Sequence, residues 1–308
     1  MLDSLIQGIL LGGYYAVLAA GLSLMFGVVR FINLAHGDMA MLGALSALWL
    51  VQSLGLGVPL AIVITLLGMA ALGWLMQRFI FERALAGGFL VPILTTIGLG
   101  AALQNGMFAV FGSNTKSLGA HIGSLSWASW QLPGGIYVGQ LPVYMFVTAV
   151  LVLGALHLTL TRTAFGRALR ATSSDAEAAS LCGVDPRRVQ RGAAAIAVAL
   201  AGLAGIFLAM RAQVTPFSGP IMLIFAFEAV VIGGIGSLRG TLIGGIILGV
   251  VQSLGALLSP QISILAGHLV FLAVLGWRLS QLAAAERGGW RLALRALTHK
   301  PDVTGRKA

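Results

Sequence analysis

Arg30, Asn33, His36 and Asp38 crowd into the stretch RFINLAHGDM, residues 30–39, of a 308-residue chain in which only 9% of residues are charged. An imidazole close to a carboxylate, with an amide beside them, is raw material for acid–base catalysis, for metal ligation or for a polar gate. A second acid, Glu228 in IFAFEAVV, stands alone in an apolar run. Catalysis and ligation both need partners that the chain does not supply. Cys182 is the sole cysteine, and His121, His157, His268 and His299 are scattered, so no metal-ligand spacing emerges. There is no HExxH, Ser218-Gly219 lacks the preceding glycine of a membrane serine protease, and Asp38 follows AHG rather than GxG, with no catalytic acid paired to it. The three lysines lie in TK, HK and RK, so a phosphate-binding GxxxxGK[ST] loop is absent too. The expectation is a chain that is not an enzyme and binds no metal or cofactor of its own, with any ATPase a separate polypeptide.

The elements that hold these residues are apolar. GILLGGYYAVLAAGLSLMFGVV precedes the stretch and AMLGALSALWLV follows it. With 58% hydrophobic residues and a mean hydropathy of +0.96, the chain has too little polar surface to cover a water-soluble globule, whereas runs of about 20 apolar residues suit the bilayer. The expected fold is an all-α, polytopic transmembrane protein. Apolar segments fall at roughly 5–27, 34–52, 58–77, 89–111, 141–161, 192–211, 221–234, 241–258 and 262–278. The pair 221–234 and 241–258 is short and reads either as broken spans or as a re-entrant hairpin, giving eight to nine membrane segments, or seven crossings if the pair turns back. Only Asp3 is charged before Arg30, so the first segment reads as a span rather than a cleaved leader.

Charge then sets the orientation. The net charge of +10 reads as a topology signal, not as a nucleic-acid surface. With the N-terminus outside and the C-terminus in the cytoplasm, only Lys116 and Arg211 of the 19 basic residues fall outside. The division expected is one transmembrane domain, 1–280, which includes the cytoplasmic loop 162–191, and a basic cytoplasmic tail, 281–308.

An ionisable group at the bilayer centre costs about 2.5–3.5 kcal/mol even on lenient scales, so Asp38 and Glu228 should face a cavity or a polar neighbour. Asn33, His36, Gly37 and Asp38 are expected to form a polar helix break facing the bundle interior near its cytoplasmic end, and together with Glu228 they are the candidate gate or pathway residues. The plainer alternative for Asp38 is a cap on backbone donors at the membrane surface. For Glu228 it is a buried pair with an arginine or a backbone donor.

Two connections carry further expectations. The inside segment 162–191 places Phe165, Ala168, Leu169, Thr172, Ala176 and Ala179 at helical spacing, predicting one amphipathic helix from Phe165 to Cys182 that Gly183 ends in a left-handed turn. Asp185 and Pro186 then open the next helix. Such an element either transmits a push from a cytoplasmic partner or is a solvated loop that only sets topology. The outside segment FGSNTKSLGAHIGSLSWASWQLPGGIYVGQLP reads as an ordered cap with Trp127, Trp130 and Tyr137 at headgroup level. Glycine, 42 residues in all, concentrates in GGIGSLRGTLIGGIILG, where Gly236, Gly240 and Gly244 recur every fourth position and Gly245 and Gly249 adjoin them, a helix-packing strip. Gly8 and Gly12 repeat the spacing.

FGVVRFINLAHGDMAMLGA, EAASLCGVDPRRV, AGLAGIFLAM and FEAVVIGGIGSLRGTLIGGIILG resemble, in that order, the blocks of branched-chain amino acid ABC transporter permeases of the LivH type, over roughly residues 5–280. Leu34 stands where that family usually has Phe. The loop keeps Glu177, Ala178, Ala179 and Gly183 of the ATPase-coupling signature but lacks its later I-x-L-P. The resemblance implies a multi-pass subunit of a bacterial inner membrane, embedded in lipid and moved by ATP that partner subunits use. Those partners are a second permease of similar type, two cytoplasmic ATPase subunits and a periplasmic substrate-binding protein. Relatives of this kind also carry other amino acids, urea or short amides, which keeps an amide importer as the alternative. A passive channel would need no docking loop.

Overall fold

The computed structural model describes residues 1–132 and 135–298. The last part of the expected basic tail, 299–308, lies outside the described residues. The fold is helical. Its elements are α1 (Leu2–Val29), α2 (His36–Leu54), α3 (Val58–Leu85), α4 (Leu90–Phe111), α5 (Gln140–Arg162), α6 (Ala164–Ser174), α7 (Ala176–Leu181), α8 (Pro186–Arg211), α9 (Gly219–Gly233), α10 (Leu238–Gly255) and α11 (Pro260–Thr298). Among the described residues, eight helices are long and apolar enough to cross a membrane, and α9 is a shorter apolar helix. Segment 111–142 folds into two 3₁₀ turns and a small hairpin, β1 (Ser129–Leu132) with β2 (Ile136–Gly139), which the glycine-rich sequence did not announce.

Lipid and protein interior are equally apolar, so hydrophobicity cannot choose which helices are central. Side-chain size does. The Gly- and Ala-rich α1 and α8 are buried along most of their length and form the centre, whereas α4, α5 and the described part of α11 present Leu, Ile and Val outward. Gly8 of α1 lies against Val250, with an added Cβ only 2.6 Å from its Cα, and Gly12 lies against Ile246. From the other side, Gly245 and Gly249 face the backbone of α1. Met69 and Gly73 of α3 pack in the same way on Gly202 and Ala194 of α8.

These two packings are related. At one constant offset, Gly21, Leu22, Phe26, Arg30, Met41 and Leu42 are matched by Gly202, Leu203, Phe207, Arg211, Met222 and Leu223. Each copy is a long helix with an arginine at its end (Arg30 caps α1, Arg211 closes α8), a non-helical stretch (30–35 or 212–218), then a helix that starts inside the bundle. The correspondence extends outward: α1 packs on α10 as α8 packs on α3, and α2 meets α4 as α9 meets α11. Since Gly21 packs on Ala197 while Tyr14 shares a cavity wall with Arg211, α1 and α8 run antiparallel. The chain is an inverted repeat, a common plan for transporters.

The basic ends gather at one end of the bundle. Arg30 reaches α6, Arg239 reaches His157 at 3.3 Å, and Arg191 holds Glu82 through two hydrogen bonds of 2.6 and 2.9 Å. Lys116 pairs with Val214 through backbone hydrogen bonds at the opposite end, as the charge count requires of the relative arrangement.

Candidate functional site at the meeting of two half-helices

Arg30 ends α1 in a left-handed conformation (φ 60°), the one non-glycine residue with positive φ among those described. The chain then turns back into the bundle. Asn33 makes the corner: its Oδ1 accepts the Ala35 N–H at 3.1 Å, a side-chain-closed turn, and its amide nitrogen faces the Met39 sulfur at 3.5 Å. His36, the first residue of α2, donates from Nε2 to the Leu18 carbonyl at 3.0 Å. Leu18 lies about 16 Å along α1 from Val29 at 1.5 Å per residue, so α2 begins near mid-bundle. The expectation had been a break near the cytoplasmic end. Six residues of returning chain account for the difference, and a count of charges along a sequence does not register re-entry.

The second half-helix meets the first there. Tyr14 donates to the Met222 sulfur at 2.9 Å, which sets the first turn of α9 at the same depth. Gly37 and Gly219 touch through their backbones: a Cβ on Gly37 would overlap the Gly219 carbonyl, and one on Gly219 would overlap the Asp38 carboxylate. Asp38 is buried. Its Oδ1 accepts from Gln104 Nε2 of α4 at 2.9 Å, and Gly100 of the same helix leaves room for Oδ2. The carboxylate therefore lies in the first turn of α2 and beside the first residue of α9. Unpaired N–H groups give a helix N-terminus partial positive charge, so one acid serves two helix ends. That electrostatic match offsets the cost of holding an acid at this depth.

Asn33, His36, Gly37 and Asp38 thus come together, and Glu228 does not join them. It lies about 13 Å along α9 from Gly219, where Oε1 pairs with His268 Nδ1 of α11, while Oε2 has no partner among the described residues. The partner is the polar neighbour expected of a buried acid, but it is a histidine that looks isolated in sequence rather than the arginine or backbone donor of the plainer alternative. Gln104 was missed as well, although an amide in the otherwise apolar 89–111 run was a visible signal.

The loop 162–191 departs from expectation in one respect. It holds two helices rather than one, because Asp175 leaves helical geometry and its Oδ1 accepts from the N–H groups of Glu177 and Ala178, capping α7. Glu177 and Ala178 are exposed, Ala179 is buried, and Leu181 projects with 85% of its surface exposed. Gly183 has φ +81°, and Asp185 caps α8 ahead of Pro186. In the glycine strip, Gly240 and Gly244 pack on Gly233 and Ala229, while Gly236 falls in the turn before α10 with φ +79°. The fourfold spacing continues through a residue that is outside the helix.

Half-helices meeting N-terminus to N-terminus inside an inverted repeat of spanning helices define a multi-pass membrane permease. The family described as "Branched-chain amino acid transport system / permease component" matches residues 4–275, and the chain belongs to it. It is 31% identical over 265 residues to the high-affinity branched-chain amino acid transport system permease protein BraD of Pseudomonas aeruginosa, covering 83% of this chain and 86% of the relative. It is 27% identical over 264 residues to LivH of Escherichia coli K12, with the same coverage. A probable LivH of Methanocaldococcus jannaschii is 30% identical over 242 residues, covering 77% of this chain and 76% of the relative.

Proposed function

We propose that this chain is the membrane-spanning permease subunit of a binding-protein-dependent ABC importer, translocating branched-chain or other amino acids across the bacterial inner membrane. Its N-terminus lies outside and its C-terminus in the cytoplasm. A second permease of similar type, two cytoplasmic ATPase subunits and a periplasmic binding protein complete the machine. ATP is used by the partners, and this chain holds no cofactor. Membership of the family and the similarity to branched-chain amino acid transport permeases support the substrate class and the partners.

The observation that carries the mechanism is the link between the loop 162–191 and the half-helix break. Arg30 stands between them: on one side it holds the end of α6, and on the other it begins the stretch leading to Asn33, His36, Gly37 and Asp38. ATPase closure against α7, with Glu177, Ala178, Ala179 and the Gly183 turn as the docking surface, would displace α6 and carry segment 30–35 with it. The α2–α9 contact is a packed junction of backbone on backbone, which suits two discrete arrangements rather than gradual deformation. Asp38, released from or returned to the start of α9, would then mark the two states of a gate.

Uptake of radiolabelled leucine, isoleucine and valine by cells lacking the gene tests the reading, with urea and acetamide as comparison substrates. Loss of amino-acid uptake, restored by the wild-type gene, and co-purification with ATPase subunits from native membranes are expected. Unchanged uptake of all three would overturn it.

A further inference from the structure

Between α1, α5, α8, α10 and α11, at the end opposite the basic loops, lies a cavity of about 280 Å³. Its floor is Tyr14, whose hydroxyl rests on Met222 in the first turn of α9, so it sits directly over the meeting of the half-helices. Its size falls just below the ~300–1,000 Å³ of pockets for drug-sized ligands, which suits a smaller molecule.

Arg211 borders this cavity, and no acid lines it. The guanidinium is exposed and makes no hydrogen bond or ion pair among the described residues, unlike its repeat counterpart Arg30, which is held by two carbonyls. A free guanidinium is a planar fork of donors that fits a carboxylate. On the wall, Gln252 is 5% exposed. Its oxygen accepts from the Tyr15 hydroxyl, and its nitrogen, buried beside Gly267, has no acceptor among the described residues. Leu10, Leu11 and Met145 make the rest of the lining largely apolar. Tyr14 and Tyr15 also line the cavity, and an aromatic ring attracts a small cation.

We propose that this cavity is an outer vestibule for a neutral α-amino acid, with the carboxylate on Arg211, the ammonium against the tyrosine rings and the aliphatic side chain on Leu10, Leu11 and Met145. This rests on the importer reading and adds to it the place where substrate waits above the gate. With no acid in the lining, a second positive charge on the ligand has no partner, so lysine and arginine are disfavoured relative to leucine.

The test uses the full chain in phosphatidylethanolamine/phosphatidylglycerol nanodiscs and photo-leucine, a diazirine analogue of leucine, with crosslinked peptides mapped by mass spectrometry. Labelling is expected on peptides carrying Leu10–Tyr15 or Met145. Excess leucine should suppress it, while 3-methylbutylamine, which lacks the carboxylate, should not. Arg211→Gln should reduce labelling about tenfold or more, the loss of one charge-assisted pair, and Arg211→Lys should retain part of it. Monodisperse elution and unchanged Cys182 reactivity certify that each variant is folded. A Leu11→Trp variant, which fills the cavity, should lose labelling with Arg211 intact. The proposal is overturned by labelling confined to the lipid-facing surfaces of α5 and α11, by labelling indifferent to Arg211→Gln, or by phosphatidylglycerol retained at Arg211 in native mass spectra and not displaced by leucine. Failure here with amino-acid uptake still lost on gene deletion removes the vestibule and leaves the importer. Unchanged uptake on deletion removes the importer, and labelling then decides the cavity alone.

Discussion

The Arg30 guanidinium donates to the carbonyl oxygen of Ser173 at 2.6 Å, and to that of Ser174 at 3.1 Å, tying the end of α1 to the last turn of α6. Carbonyls at a helix C-terminus lack intrahelical donors and carry partial negative charge, so a guanidinium suits them. The same residue accepts a left-handed backbone that only glycine adopts freely.

Substituting Arg30 separates those two roles. Arg30→Gly keeps the backbone geometry and removes the guanidinium donors, so the complex should insert and hydrolyse ATP while uptake falls about tenfold, consistent with loss of a charged hydrogen bond. Arg30→Lys should recover part of the uptake. Parallel uptake and ATPase measurements decide it; full uptake by the glycine variant would remove Arg30 from the coupling route.

At the half-helix junction, Asn33→Leu leaves the Ala35 N–H without its acceptor, at a cost of about 1–3 kcal/mol. Asp38→Asn keeps shape and one acceptor for Gln104. A gate built on backbone geometry should therefore suffer more from the Asn33 change than from the Asp38 change, in both uptake and assembled yield. If Asp38→Asn alone abolishes uptake in a substrate-dependent way, Asp38 binds a cationic group instead.

Close approach predicts a contrast between two glycines. Gly37→Ala would force a methyl into the Gly219 carbonyl, an overpacking that costs about 1–3 kcal/mol or more. Gly98, on α4, has open space where a Cβ would go. Thermal unfolding of the detergent-solubilised chain should fall by several degrees for Gly37→Ala and stay near wild type for Gly98→Ala.

For the Glu228 and His268 pair, removal of one partner is worse than removal of both. His268→Phe strands a buried carboxylate and should destabilise by about 3–5 kcal/mol, whereas adding Glu228→Leu should restore much of the loss. A thermal-stability cycle of the two single variants and the double variant measures the coupling. Additive losses would mean that the contact does not stabilise the helix pair.

Cys182, the only thiol, is exposed beside the Gly183 turn. With the loop in the cytoplasm, a membrane-impermeant maleimide should label it in inverted vesicles stripped of ATPase and not in intact spheroplasts. Labelling in spheroplasts would reverse the orientation.

The sequence by itself determined the solvent, the class and the punctuation of this protein. Apolar run lengths marked the spans, the resemblance marked the permease family, and Gly183, Asp185 and Pro186 marked the turn and cap. Each is local: a residue's own conformational freedom or a window's average polarity is complete within a few neighbours. Tertiary structure alone decided where Arg30 to Asp38 go, because the same non-helical residues could surface or re-enter, and only packing of Gly37 on Gly219 distinguishes them. Asp38 with Gln104, Glu228 with His268, and Arg30 with Ser173 join residues far apart in the chain, and nothing in one helix specifies which face of another it will meet. The inverted repeat was present in the letters, in the pairing of Gly21 with Gly202 and of Arg30 with Arg211. Most matched positions differ in identity, so the two folded halves made it plain: backbone geometry repeats where side chains have diverged.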